Sequence, residues 1–180
     1  EACEKTRGGM ASVIGVDRET VKAFSEEMGV QMANLNCPGQ IVISGEKDKI
    51  HKAVQEGQAR GFRRVIELEV AGAYHSRLME PAREAFAEFL SNVQFSSPEI
   101  TVLTNTTGKA IEDPEAIHQA LVDQIVSPVL WEDCLYSAAE LNTDNVFWEL
   151  GPGGILTGLV RRTNKEWTCQ KFSQIFELVS

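Results

Sequence analysis

No Gly-x-Ser-x-Gly run occurs anywhere in the 180 residues. That absence removes the strand-to-helix elbow on which many acyl-transferring enzymes present a nucleophilic serine. No Cys-x-x-Cys pair occurs either. Cys3, Cys37, Cys134 and Cys169 are scattered, a pattern that suits reduced cytoplasmic thiols and argues against a disulfide framework or a structural zinc site. His51, His75 and His118 are equally dispersed and form no His-Glu-x-x-His, so no metal is expected. No apolar stretch approaches the roughly 18 residues of a membrane-spanning helix, so no membrane association is expected. Positive charge is in deficit, with 17 Lys and Arg against 26 Asp and Glu and a net charge of -9. A general nucleic-acid binder would need a basic footprint, so nucleic acid is not an expected partner. The opening Glu1-Ala2-Cys3-Glu4-Lys5 lacks an initiator Met and a basic-then-apolar leader pattern. The chain is therefore expected to begin inside a longer protein.

The apolar periodicity of the first half alternates between strand and helix. Met10 to Val16 reads as a strand, and Asp17 as the cap of a helix carrying Val21, Phe24 and Met28 on one face. Val30 to Leu35 reads as extended, Asn36-Cys37-Pro38-Gly39 as a turn, and Gln40 to Ser44 as a strand. A helix over Glu46 to Ala59 and a strand over Phe62 to Val70 follow. The order β-α-β-β-α-β is that of a ferredoxin-like unit.

The second half is richer in helix. A long helix is expected over Ser76 to Asn92, with Leu78, Ala82, Ala85, Phe86 and Phe89 as its apolar stripe. A short strand over Ile100 to Leu103, a helix opened by Pro114, a helix over Trp131 to Leu141 and a strand over Asn145 to Leu150 come next. Gly151-Pro152-Gly153-Gly154 then turns into a helix through Arg162, and Thr168 to Phe172 forms a last short strand. Alone these elements make a poor sheet. They read as the tail of an α/β domain whose leading strands lie elsewhere. The expected class is α/β (α+β), divided into a lead-in over 1–8, a small domain over 9–71 and part of a larger domain over 72–180.

Chemistry concentrates in Val70-Ala71-Gly72-Ala73-Tyr74-His75-Ser76. Two small residues lead from a strand into an aromatic-His pair at the junction of the two halves, where clefts form. An imidazole there exchanges protons near neutral pH. The Gly151-Pro152-Gly153-Gly154 run before a helix offers either a tight turn or an anion cradle, and it lacks the Lys-Ser/Thr of a phosphate loop. Ser44 and Ser76 have no elbow context and are expected at the surface or as caps.

Four runs, in order, resemble malonyl-CoA:acyl carrier protein transacylases. They are Ala33-Asn34-Leu35-Asn36-Cys37-Pro38-Gly39-Gln40-Ile41-Val42-Ile43-Ser44-Gly45, Gly72-Ala73-Tyr74-His75-Ser76, Asp123-Gln124-Ile125-Val126-Ser127-Pro128-Val129-Leu130-Trp131, and Glu149-Leu150-Gly151-Pro152-Gly153 with Leu156-Thr157-Gly158-Leu159. The likeness runs from about Gly9 to Thr163. It implies an α/β-hydrolase-like acyltransferase domain bearing the ferredoxin-like unit. It also implies malonyl-CoA and acyl carrier protein as partners, a coenzyme A thioester as substrate, and no cofactor. The role it implies for His75 is general base toward a serine upstream of this segment, with Gln124 supplying an acceptor for the other imidazole nitrogen. The family's carboxylate-binding arginine also lies upstream, and Arg7 is not matched to it. Asn36 and Gln40 flank a turn near the cleft and are candidates for substrate contact. Tyr74 stands where an aromatic accompanies malonyl selectivity, although Phe is more usual there. Arg63, Arg64, Arg161 and Arg162 are candidate docking cations for the acidic carrier, provided both pairs share one side of the molecule. The alternatives are an acyltransferase segment of a polyketide synthase, and a non-catalytic ferredoxin-like module that binds a carrier protein.

Overall fold

The structure, a computed structural model, describes residue 3 and residues 6–173. Of the expected lead-in over 1–8, residues 1, 2, 4 and 5 lie outside the described residues. The chain runs β1 (Gly8–Ile14), α1 (Arg18–Met28), β2 (Gln31–Cys37), β3 (Gln40–Glu46), α2 (Lys47–Ala59) and β4 (Arg64–Glu67). Next come a 3₁₀ turn (Arg77–Met79), α3 (Glu80–Leu90), α4 (Pro114–Asp123), α5 (Trp131–Leu141), β5 (Val146–Leu150), α6 (Ile155–Thr163) and β6 (Thr168–Phe172). The first four strands form one sheet in the order β2-β3-β1-β4, and every neighbouring pair is antiparallel. That is the ferredoxin-like arrangement expected from the periodicity.

Local chemistry sets these elements. Asp17 caps α1 by accepting from the Thr20 N–H at 2.9 Å, and Gly29 ends it at φ 65°, the left-handed conformation glycine adopts without penalty. Pro38 and Gly39 make a two-residue hairpin, since Cys37 pairs directly with Gln40. Asn36 and Cys37 thus belong to β2, not to the turn. Strand β1 ends at Ile14 because Gly15 leaves the ladder and donates to the Gly39 carbonyl at 2.7 Å. Strand β4 is shorter than the expected Phe62 to Val70: its ladder with β1 covers only Arg64 to Glu67, with one further bond from the Leu68 N–H to the Met10 carbonyl.

Both faces of the central strands are covered, which is why five consecutive residues of β1 and of β3 are buried. One face packs Ala11, Val13, Ile41 and Ile43 against Val21, Phe24, Ile50 and Ala53 of the two helices. The other buries Met10, Ala33 and Val42 under Leu68. Ser44 is on that second face, fully buried with its hydroxyl unpartnered. The surface or capping place expected for it is not observed.

The second half departs from the periodicity in three places. The helix expected from Ser76 to Asn92 is a 3₁₀ turn followed by α3, with Pro81 in the first turn of α3. Its covered side runs through Met79, Ala82, Phe86 and Leu90, while Ala85 faces outward and Phe89 is 67% exposed. Ile100 to Leu103 forms no strand; only a single bridge joins Leu103 to Ala110 across the Asn105-to-Gly108 turn. Strands β5 and β6 pair with each other in parallel and with nothing else described. Helix α5 and strand β6 fall where the sequence placed them. Among the described residues, no helix is long and apolar enough to cross a membrane.

The halves are stitched together at β2. The Leu35 N–H donates to the Val129 carbonyl and the Val129 N–H to the Ala33 carbonyl, both at 2.8 Å. Arg18 of α1 meets Asp133 of α5 at 3.0 Å, and Gln31 accepts from the Arg77 N–H at 3.0 Å. Beyond the end of the β4 ladder the start of β1 lies on the loop before His75: a Cβ on Gly8 would stand 2.4 Å from the Ala73 nitrogen. Gly8→Ala therefore forces backbone apart and is expected to lower stability by about 1–3 kcal/mol, read as a lower urea midpoint.

Candidate active site

Strand β4 delivers the chain into the 68–76 loop. Gly72 and Ala73 are buried there, and His75 follows half-exposed. The His75 backbone is left-handed, at φ 57°, which costs a residue with a Cβ about 1–2 kcal/mol. Nonglycine residues in this region mark turns held by their surroundings. Ser76, fully buried, caps the 3₁₀ turn by accepting from the Leu78 N–H at 3.3 Å. Its hydroxyl also donates to the Ala73 carbonyl at 2.6 Å. The capping role expected for Ser76 is what the structure has.

His75 Nδ1 lies 2.8 Å from the Gln124 main-chain oxygen. A carbonyl oxygen only accepts, so Nδ1 carries the proton of the neutral ring and Nε2 keeps its lone pair. That is the tautomer a general base needs. The Gln124 carbonyl is fixed from two sides. Asp113 caps α4 by accepting from the Ala116 N–H at 2.8 Å, and the helix ends with the Gln124 N–H on the Ala120 carbonyl at 3.0 Å. Beyond it, Pro128 leads into the Val129 segment seated on β2. Of Gln124, singled out in the sequence, it is the main-chain oxygen that meets the imidazole.

Asn36 and Gln40 are both half-buried on the β2–β3 hairpin, and neither hydrogen-bonds to His75. Gln40 Oε1 accepts from the Arg162 guanidinium at 2.5 Å, so its amide joins the hairpin to α6. Tyr74 is 38% exposed. The side chain of Cys3 beside it raises its pKa above the usual phenol value. Gly72 leaves room for the same thiol, since a Cβ there would stand 2.5 Å from the Cys3 sulfur. No sequence signal pointed to Cys3. Burial also raises the pKa of Cys37, and with the Asp133 carboxylate it pushes Cys134 up to about 11. Such thiols are poor nucleophiles at neutral pH.

Three of the four candidate docking arginines gather at one end of the ferredoxin-like sheet. Arg64 pairs with Ile14, Ile14 with Gln40, and Gln40 binds Arg162. The row spans two strand spacings, about 9–10 Å. Arg63 lies over Gly15 at the same end, its Cδ within 2.9 Å of where a Cβ would sit. Arg161, one residue along α6, instead lines a groove with Lys171.

The glycine run does not leave an anion cradle. Gly151 and Gly153 take φ of 125° and 115°, and the start of α6 is already occupied. The Glu149 carboxylate accepts from the Leu156 and Thr157 N–H groups at 3.1 and 2.8 Å and from the Thr157 hydroxyl at 2.6 Å. These bonds, led by the Thr157 hydroxyl, hold the carboxyl below its usual pKa. Sequence reasoning missed Glu149. Its signal was an acidic residue placed before a glycine turn that opens a helix.

A ferredoxin-like unit docked beside an α/β portion, with an imidazole braced by a main-chain carbonyl at their seam, defines an acyltransferase-type architecture. The family model described as "Acyl transferase domain" matches residues 2–176, and the chain belongs to that family. It is 37% identical over 172 residues to the malonyl CoA-acyl carrier protein transacylase of Bacillus subtilis, covering 92% of this chain and 53% of that protein. It is 39% identical over 158 residues to the polyketide biosynthesis protein ThaF of Burkholderia thailandensis, covering 86% of this chain and 14% of that protein. The crystal structure of the malonyl-CoA:acyl carrier protein transacylase of Xanthomonas oryzae superposes with a TM-score of 0.91 at 31% identity, over 99% of this chain and 58% of that one. A malonyl-transacylase in complex with a type II polyketide synthase acyl-carrier protein superposes with a TM-score of 0.90 at 30% identity, over 99% and 60%. The chain thus spans about half the length of the transacylases it matches.

Glu149 gives a pH signature. Its depressed folded-state pKa contributes stability that is present above the unfolded carboxyl value and lost as pH falls through the folded one. Glu149→Gln is expected to lower the thermal midpoint at pH 7, and the gap to the parent chain to close below about pH 4.

Proposed function

We propose that this chain is the base-bearing portion of an enzyme that transfers a malonyl group from coenzyme A to the phosphopantetheine thiol of an acyl carrier protein, in fatty-acid synthesis. Residues 9–71 are the small domain and 72–180 part of the large one. His75 Nε2 takes the proton of a serine that attacks the thioester. It later returns a proton to the leaving thiol and activates the incoming one. The Gln124 carbonyl holds the ring in the required tautomer and stabilises the imidazolium as it forms. The serine comes from polypeptide outside these 180 residues, so the chain alone does not turn over. The steps need acid-base and nucleophilic groups and no further cofactor.

The observation that carries this reading is the 2.8 Å bond from His75 to Gln124 within the acyl transferase fold. The exposed apolar surface agrees with it. Trp148 and Leu150 are 61% and 65% exposed on a two-stranded parallel sheet, and parallel sheets are normally covered on both faces. Beside them an apolar cavity of about 280 Å³ is lined by Trp131, Leu135, Phe147, Leu156 and Val160. Strands and helices from the serine-bearing portion would fill this surface. The aromatic bulk of Tyr74, one residue before His75, would favour malonyl over branched units. A polyketide setting for the same transfer is the second reading, favoured by the likeness to a polyketide biosynthesis protein.

Joining the chain to the serine-bearing half of a transacylase, in cis or by co-expression, is expected to yield malonyl transfer. His75→Ala should reduce kcat about 10²–10⁴-fold, and an unchanged rate would remove His75 from the mechanism. Arg63 and Arg64 make no ion pair among the described residues, and they sit at the end of the sheet that carries Ile14 and Gln40. Replacing both with Glu is expected to raise KM for the carrier protein about three- to tenfold at low salt, with kcat kept. Arg161→Glu is expected to do less, since Arg161 faces a different groove.

A further inference from the structure

The base reading leaves open what keeps His75 in a backbone conformation it does not favour. We infer that Ser76 is the positioning residue that locks the His75 turn and thereby sets its tautomer; the functional weight of this rests on His75 being the base. The Ser76 hydroxyl closes a loop around His75. It donates to the Ala73 carbonyl two residues before the histidine and accepts from the Leu78 N–H three residues after it. One hydroxyl so satisfies one donor and one acceptor, with none of its surface exposed.

Both anchors of that loop are held by packing or hydrogen bonds. Ala73 is fully buried and pressed against Gly8 of β1. On the other side the Arg77 N–H is held by the Gln31 side chain of β2, and the Met79 N–H by the Ser76 carbonyl. Rotating His75 from φ 57° to the ordinary negative region would swing Ser76 Oγ off the Ala73 carbonyl. It would also turn the imidazole away from Gln124. The left-handed turn and the Nδ1–H tautomer therefore stand or fall together, and the serine hydroxyl is the side-chain group that ties them. The sequence pattern marked this serine only for a surface or capping place.

The test reads the ring directly and needs no turnover. Nitrogen NMR of the chain at a pH where His75 is neutral reports the ratio of its Nδ1–H and Nε2–H forms. In the parent chain the Nδ1–H form is expected to dominate. Ser76→Ala should lower the ratio about tenfold, the effect of one lost buried hydrogen bond. Ser76→Gly should do the same, although glycine is a tolerable helix cap, which separates the Ala73 tether from capping alone. Ser76→Thr, which keeps the hydroxyl, should restore the ratio. Ser91→Ala, which removes a serine-to-carbonyl bond at the end of α3, should leave it unchanged. Folded Ala and Gly variants with the parent ratio would overturn the inference. So would failure of both to fold while Thr folds with an altered ratio, since the hydroxyl would then be a fold determinant only. A shifted ratio together with an unimpaired His75→Ala enzyme would sink the base reading and leave the positioning intact.

Discussion

The hydrogen bond from His75 Nδ1 to the Gln124 carbonyl is the constraint on which the seam of this molecule depends. It crosses from the loop after β4 to the end of α4. A carboxylate partner would bind imidazolium more tightly and raise the ring's proton affinity. A carbonyl orients the ring and fixes its proton without adding a full charge. Nε2 of the half-exposed residue is then left with its lone pair.

Much of the remaining architecture serves to keep those two segments in place. The ferredoxin-like sheet is buried on both faces, which makes it a rigid platform. The start of β1 supports Ala73, and the β2 edge carries the Val129 segment that follows Gln124. Helix α6 is pinned at both ends. Glu149 closes its N-terminus, and Arg162 near its C-terminus reaches Gln40 on the hairpin. The opposite side of the second half is unlike this platform, with Trp148, Leu150 and Ile155 turned outward. An acyl transferase domain of about twice this length, as in the relatives matched, has the material to cover that side.

The sequence made the ferredoxin-like order legible because its strands and helices differ in period and its turns carry Asp, Pro and Gly where capping chemistry wants them. His75 and Gln124 were legible through a family pattern, since nothing local to either residue says that they touch. What escaped was set by tertiary contacts. Phe89 fits an apolar stripe by spacing yet points outward, because α3 is covered along Met79, Ala82, Phe86 and Leu90. Ile100 to Leu103 has a strand's composition yet pairs only through the single Leu103–Ala110 bridge. The union of Gln40 with Arg162, the Cys3 contact to Tyr74 and the capping by Glu149 each join residues whose partners are fixed only once the chain has folded. Arg162 and Gln40 had each been read separately, as docking cation and as substrate contact, and their shared bond belongs to neither reading.

The most direct measurement is an atomic-resolution crystal structure of the chain at neutral pH, with hydrogen positions refined at His75. The account predicts a proton on Nδ1 directed at the Gln124 carbonyl, a bare Nε2, and a left-handed His75 backbone. An imidazole turned so that Nδ1 meets water or a carboxylate, with the Gln124 carbonyl bonded elsewhere, would contradict it.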